Sequence, residues 1–139
     1  MTLQKPSEKV IMDTSLILCC IEDSLDPNKI LLDYLDAPLE ILIPMTVVKE
    51  MEELSGNKGR RGRLARTGLQ LIKRKLSIRE VKILEEVVSS DVDEDVILLS
   101  QLYNAYLATA DKELAEKARA RKARVLVYRK AKKQLFRVS

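Results

Sequence analysis

Apolar residues fall in two patterns along this chain. At 9–13, 39–43, 105–109 and 124–128 they form short, nearly unbroken runs, as strands covered on both faces do. Elsewhere they return every third or fourth position, the period of a helix with one buried face. That pattern predicts helices over 15–22, 26–35, 44–54, 60–75, 91–104 and 111–121. Thr14 or Ser15 can cap the first, and Asp26 followed by Pro27 is a cap-then-proline start for the second. Val47, Val48, Met51 and Leu54 form the inward stripe of the third helix; Leu64, Leu69 and Ile72 form that of the fourth. In the fifth, Val96, Leu99 and Leu102 or Tyr103 face inward. Gly62 and Gly68 lower helix propensity in the fourth, which predicts an imperfect or mobile start. Residues 80–84 fit either a strand or a helix, and 1–7 read as a loose polar lead-in.

Strands alternating with helices imply an α/β fold, a parallel sheet between two helix layers. No internal repeat or shift in composition divides the chain. A single domain over 1–139 is therefore expected, with a core at about 8–128 and a basic tail at 129–139.

Two of the apolar runs lead into an aspartate: Val10-Ile11-Met12-Asp13 and Leu107-Ala108-Thr109-Ala110-Asp111. Strands of a parallel sheet point one way, so their carboxyl ends share an edge, and open α/β sheets bind ligands there. Asp13 and Asp111 face one crevice if their strands are neighbours. The helix starting at Pro44 leaves the same edge and carries Glu50 about two turns in, on the flank of its apolar stripe. Asp91, Asp93, Glu94 and Asp95 crowd the start of another helix. One or two acids there would suit the helix dipole; four exceed it. Gathered carboxylates repel unless a cation neutralises them, and all-oxygen ligands suit Mg²⁺ or Mn²⁺. Such an ion acidifies water and polarises phosphoryl oxygens.

Composition narrows the chemistry. The 139 residues include no His, which excludes imidazole bases, His metal ligands and Ser-His-Asp or Cys-His nucleophiles. Aromatics make up 4% and Trp is absent, so base-stacking platforms are not expected. Cys19 and Cys20 are adjacent and offer no disulfide framework; reduced thiols of a cytoplasmic protein are the expectation. Asp13 breaks the first apolar stretch, so no signal peptide is expected, and no apolar run approaches the ~20 residues of a membrane span. The net charge is +4, but it is segregated. Nine basic residues lie from Leu54 to Arg79 and ten from Lys117 to Arg137, with no acid in either stretch. Such segregation points to a polyanionic partner. Arg60, Arg61, Arg63 and Arg66, with no acid near them in sequence, and the basic tail are expected to hold a phosphate backbone. An acid-lined, metal-dependent site flanked by basic surface fits phosphodiester hydrolysis. A small phosphatase of doubly wound fold fits less well, because its phospho-accepting Asp is usually followed two residues on by another Asp. Here Asp13 is followed by Thr14 and Ser15.

Taken in order, these motifs resemble those of the PIN domains (PilT N-terminus), a family of nucleases. The matching segments are Val10-Ile11-Met12-Asp13-Thr14-Ser15, Ile43-Pro44-x-Thr46-Val47-Val48-x-Glu50, Asp93-x-x-Val96, and Thr109-x-Asp111, eighteen residues after Asp93. The resemblance as a whole runs from Val10 to Tyr128. Compact archaeal-type and ribosomal-RNA-processing members resemble the chain most, through Ala108-Thr109-Ala110-Asp111-Lys112-Glu113-Leu114 and the basic helix after it. The resemblance implies a three-layer α/β/α fold with a roughly five-stranded parallel sheet. It implies an endoribonuclease acting on RNA, with Asp13, Glu50, Asp93 and Asp111 as catalytic residues holding Mg²⁺ or Mn²⁺ and Thr109 in support. It further implies a homodimer, and either an antitoxin or a ribosome-assembly partner. The chain departs from the pattern twice. Three aspartates compete for the third acid: Asp93 is preferred for its spacing and its place three residues before Val96, with Asp95 the alternate and Asp91 the remaining candidate. Ala110 stands where a polar residue is common. The alternative function is an RNA-binding PIN scaffold whose acids are out of position for catalysis.

Overall fold

A computed structural model describes residues 6–138. Residues 1–5 of the lead-in expected to be loose, and Ser139 of the tail, lie outside the described residues. Strand β1 (Glu8–Met12) leads into α1 (Thr14–Glu22) and α2 (Pro27–Leu35). Strand β2 (Leu39–Pro44) precedes α3 (Met45–Ser55) and α4 (Arg60–Ser77), and the short β3 (Lys82–Leu84) precedes α5 (Val92–Leu102). Then follow β4 (Tyr106–Thr109), α6 (Lys112–Ala120), β5 (Arg124–Arg129) and β6 (Gln134–Val138).

The strands form one sheet in the order β3-β2-β1-β4-β5-β6. The first five are parallel, and β6 runs antiparallel to β5. From β1 the chain steps outward through β2 and β3, then returns to place β4 on the other side of β1. That reversal is the switch point at which such sheets open a crevice. Right-handed crossovers put α1 to α4 on one face and α5 and α6 on the other. The packing agrees, with α1 against α2, α3 and α4, and α6 against β4, β5 and β6. Ile11, Ile43, Leu107 and Leu126 are fully enclosed at the sheet centre. Each such side chain contributes roughly 1.5–3 kcal/mol relative to exposure.

Several local expectations change. Helix α1 is capped by Asp13, not by Thr14 or Ser15. Asp13 is extended at the strand end, and its carboxylate accepts from the Leu16 N–H. The choice at 80–84 resolves as an edge strand over Lys82–Leu84. Leu102 is 61% exposed, so Tyr103 is the half-buried member of that pair. Helix α4 is regular from Arg60, and its buried stripe is Gly62, Ala65, Gly68, Ile72 and Lys75, with Leu64 and Leu69 only half-buried. The two glycines do not loosen the helix; they let it approach its neighbours. A Cβ at Gly62 would lie 2.0 Å from the Asn57 carbonyl oxygen, and one at Gly68 2.4 Å from Met51 Cε. The buried Lys75 ammonium donates to Asp26 (2.7 Å) and Glu80 (3.0 Å), fastening the end of α4 to the start of α2.

The basic tail also differs from expectation. It folds back as β6, a sixth strand, with Leu135 buried on one face and Phe136 and Val138 half-buried on the other. The turn before it is pinned by Lys130, which pairs with Glu22 and Asp23 at the end of α1. The Tyr128 hydroxyl also donates to Asp23 (2.6 Å).

Candidate active site

Met12 of β1 lies in register with Ala108 of β4, so the aspartates that follow these strands meet at one edge. Asp13 is almost sealed from solvent, at 5% exposure. Its carboxylate accepts from Thr109 Oγ1 (2.6 Å), from Ser15 Oγ (2.9 Å to either oxygen) and from the Leu16 N–H (3.0 Å). Burial pushes its carboxyl up to about 6; the hydrogen bonds from Thr109, Leu16 and Ser15 work against that rise, and the charge of Asp111 adds to it. Thr109 joins the two acids. Its hydroxyl donates to Asp13 and accepts from the Asp111 N–H (3.0 Å). Asp111 caps α6 through Oδ1, which accepts from the Glu113 and Leu114 N–H groups.

The acids of α5 separate by role. Asp91 caps the helix by accepting from the Glu94 N–H. Asp95 is fully buried, and its oxygens accept from Thr46 Oγ1 (2.6 Å) and from the Val88 (2.8 Å) and Ser89 (3.1 Å) N–H groups. It braces the loop before α5 against α3. Asp93 is half-buried. Burial raises its carboxyl, as do the charges of Asp111, Asp91 and Glu50, while Lys117 opposes them. Asp93 therefore shares its field with Asp111 and Glu50. Glu50 lines a cleft of about 240 Å³ together with Ser90 and Val92, at the start of α5. Of the expected quartet, Asp13 and Asp111 are joined through Thr109, and Asp93 feels the charges of Asp111 and Glu50.

Ser15, a candidate cap and the last residue of the first matching motif, takes a different part. Its hydroxyl contacts Asp13 and Thr109 (3.1 Å) and accepts from the Ala110 N–H (3.0 Å), tying β1 to β4. The sequence signal for it is the Asp-x-Ser spacing at the end of that motif.

The family model described as a PIN like domain matches residues 10–131. The chain belongs to the PIN-like domain family. No curated protein matches it by sequence. Among solved structures, the PIN domain endonuclease Utp24 superposes with a TM-score of 0.71 at 25% identity, covering 94% of this chain and 92% of that one. A domain of a functionally unknown protein from Methanocaldococcus jannaschii DSM 2661 shares the fold, with a TM-score of 0.66 at 20% identity, covering 88% of this chain and 91% of that one.

The donor set of this PIN-like domain is all oxygen and carries excess negative charge, which fits a hard divalent cation. Asp13 retains capacity for one: its hydrogen-bond donors take up about three of the roughly four lone-pair sites of a carboxylate. Among the described residues, no three carboxylates stand close enough to form a ready cage. Mg²⁺ does not require one, since it is commonly held by one or two carboxylates, with waters and substrate phosphates completing its shell.

The basic surface of the PIN-like domain is less uniform than its sequence suggested. Arg60 pairs with Glu22 (2.6 Å). Arg66 donates to the Ser55 (2.7 Å) and Asn57 (3.2 Å) carbonyls, closing the end of α3. These two are therefore not the unpaired cations that were expected, because α4 folds back across α1 and α3. Arg61 and Arg63 are exposed and have no ion-pair partner among the described residues. A second basic hollow, of about 400 Å³, is lined by Lys112, Arg129 and Arg137 between α6 and the β5–β6 hairpin.

Proposed function

We propose that this PIN-like domain is a divalent-metal-dependent endoribonuclease. The observation that carries the reading is the junction of the nearly sealed Asp13 with Asp111 through Thr109 at the switch-point edge; Glu50 and Asp93 are assigned to the same site by the family resemblance. Likeness to a PIN domain endonuclease supports internal cleavage, and the family resemblance supports RNA as substrate. The four acids would hold Mg²⁺ or Mn²⁺. Bound there, the ion supplies Lewis-acid polarisation of a phosphoryl oxygen and lowers the pKa of a water.

The chain's own residues do the rest. Ser15, Thr109 and the Leu16 N–H fix the Asp13 carboxylate in one orientation. The first turn of α6 fixes that of Asp111. Such preorganisation spares the reorganisation that an exposed carboxylate would undergo as charge develops. Arg61 and Arg63 on one side, and Lys112, Arg129 and Arg137 on the other, attract the phosphate chain toward the acidic edge.

The alternative is an RNA-binding scaffold without catalysis, which the exposed Arg61 and Arg63 would serve equally well. A circular single-stranded RNA separates the two readings, because only internal cleavage opens it. Opening in Mg²⁺ or Mn²⁺ that stops in EDTA is the expected result. Binding of the circle with no opening in either metal would establish the scaffold.

A further inference from the structure

Beside the acidic edge, between α1 and the start of α4, lies a cleft of about 290 Å³. That is just under the ~300 Å³ at which clefts for drug-sized ligands begin. Its walls are apolar: Leu18, Leu64 and the half-buried Cys19. One end is formed by Ser15, the residue whose hydroxyl contacts Asp13 and Thr109. Through Ser15 the cleft borders Asp13. Its rim carries two arginines and the carboxylate of Glu22. Arg60 is held in place by Glu22, and Arg61 projects beside it without an ion-pair partner among the described residues.

These features call for a group with apolar faces, small enough for the cleft and attached to an anion within reach of the rim. We propose that the cleft receives one unpaired nucleobase of the RNA, next to the phosphodiester positioned at the acidic edge. The proposal rests on the nuclease reading for its substrate. The apolar walls meet the faces of the base, and the guanidinium groups of Arg60 and Arg61 meet the flanking phosphate or stack on the ring. The chain has few aromatics, so this cleft gives it a means of holding a base without a stacking platform. A flat basic track would bind the phosphate chain alike with or without bases. A cleft of this kind would not.

Cys19 reports on occupancy in the unaltered protein. The chain has only two cysteines, and Cys20 is fully buried. Alkylation of Cys19 by iodoacetamide is followed by mass spectrometry, in EDTA so that metal-dependent cutting is suppressed. The probes are a single-stranded oligoribonucleotide and an abasic ribose-phosphate chain of equal length and charge. Half-protection of Cys19 is expected at roughly tenfold lower concentration of RNA than of the abasic chain. Equal protection by the two, or protection by neither, overturns the proposal. Leu64→Trp, which fills the cleft, should bring RNA affinity down to that of the abasic chain while thermal unfolding confirms the fold. If that variant fails to fold, the Cys19 comparison in the unaltered chain still decides. RNA that stays uncut in Mg²⁺ and Mn²⁺ while base-dependent protection persists would remove the nuclease reading and leave the cleft. Cutting without base-dependent protection would remove the cleft alone.

Discussion

Asp13 serves two ends with one side chain. It caps α1, and it presents a nearly sealed carboxylate to the switch-point edge. Its place was legible in the sequence because an apolar strand stops on it, and Asp111 was legible for the same reason. The division of labour between Asp93 and Asp95 was less so. Both precede buried positions on α5, so helix phase alone does not separate them. What separates them is a set of donors distant in sequence or in a loop: Thr46, 49 residues away, and the Val88 and Ser89 N–H groups. Asp95→Ala leaves those donors without their acceptor and should cost at least ~1–3 kcal/mol of folding free energy. Asp93→Ala should leave the denaturant midpoint nearly unchanged and sharply reduce RNA cleavage. Chemical denaturation and cleavage of the two variants check this pairwise; a stable Asp95→Ala protein would mean its hydrogen bonds carry little.

At the scale of elements, α4 carries the clearest lesson. Two glycines in a helix read as weakness from propensity alone. Gly62 and Gly68 instead lie on its buried stripe, where α4 crosses Asn57 and Met51. Alanine at either site recovers roughly 1 kcal/mol of helix propensity. At Gly62 the added methyl meets a backbone carbonyl at 2.0 Å, and the helix must shift. At Gly68 it meets the flexible end of Met51. Gly62→Ala should therefore lower the melting temperature more than Gly68→Ala does, with a net cost of about 1–3 kcal/mol. The reverse order in thermal melts would show that the 55–59 turn yields more easily than Met51. The arginines of this helix divide in a similar way. Arg61→Gln with Arg63→Gln should flatten the salt dependence of RNA binding by about 0.7 in log–log slope per lost phosphate contact. Arg66→Gln should leave the slope alone and weaken the closure of α3. Filter binding across a salt series measures both.

The whole molecule was legible in outline. Short apolar runs alternating with helical stripes gave the α/β class and the shared strand edge. The last strand was not legible, because 129–139 reads as a charged tail and its apolar residues become a strand only when β5 offers an edge. What holds it there is partly electrostatic. Hydrogen bonding to Lys130 lowers the Glu22 carboxyl. Burial tends to raise Asp23, but hydrogen bonds from Lys130 and Tyr128 and the charges of Lys130 and Lys133 leave it below its ordinary value. Both carboxyls are thus depressed in the folded chain. Their contribution is complete above about pH 4.5, where unfolded carboxyls are ionised, and is lost as pH falls through the lower folded values. Lys130→Gln should lower the melting temperature at neutral pH, and the gap from the parent should close by about pH 2. A gap that persists in acid would assign the effect to packing of the turn instead.

Whether the carboxylates at the switch-point edge hold a divalent cation is read by titrating the protein with Mn²⁺ and following the electron paramagnetic resonance signal of the free ion. Asp111→Asn keeps an acceptor for the α6 cap, and Asp93→Ala spares the hydrogen bonds made by Asp95, so neither should disturb the fold. A saturable Mn²⁺ site is expected in the parent protein, weakened by roughly tenfold or more in each variant. Mn²⁺ binding of equal strength in all three proteins, or no saturable binding in the parent, would contradict it.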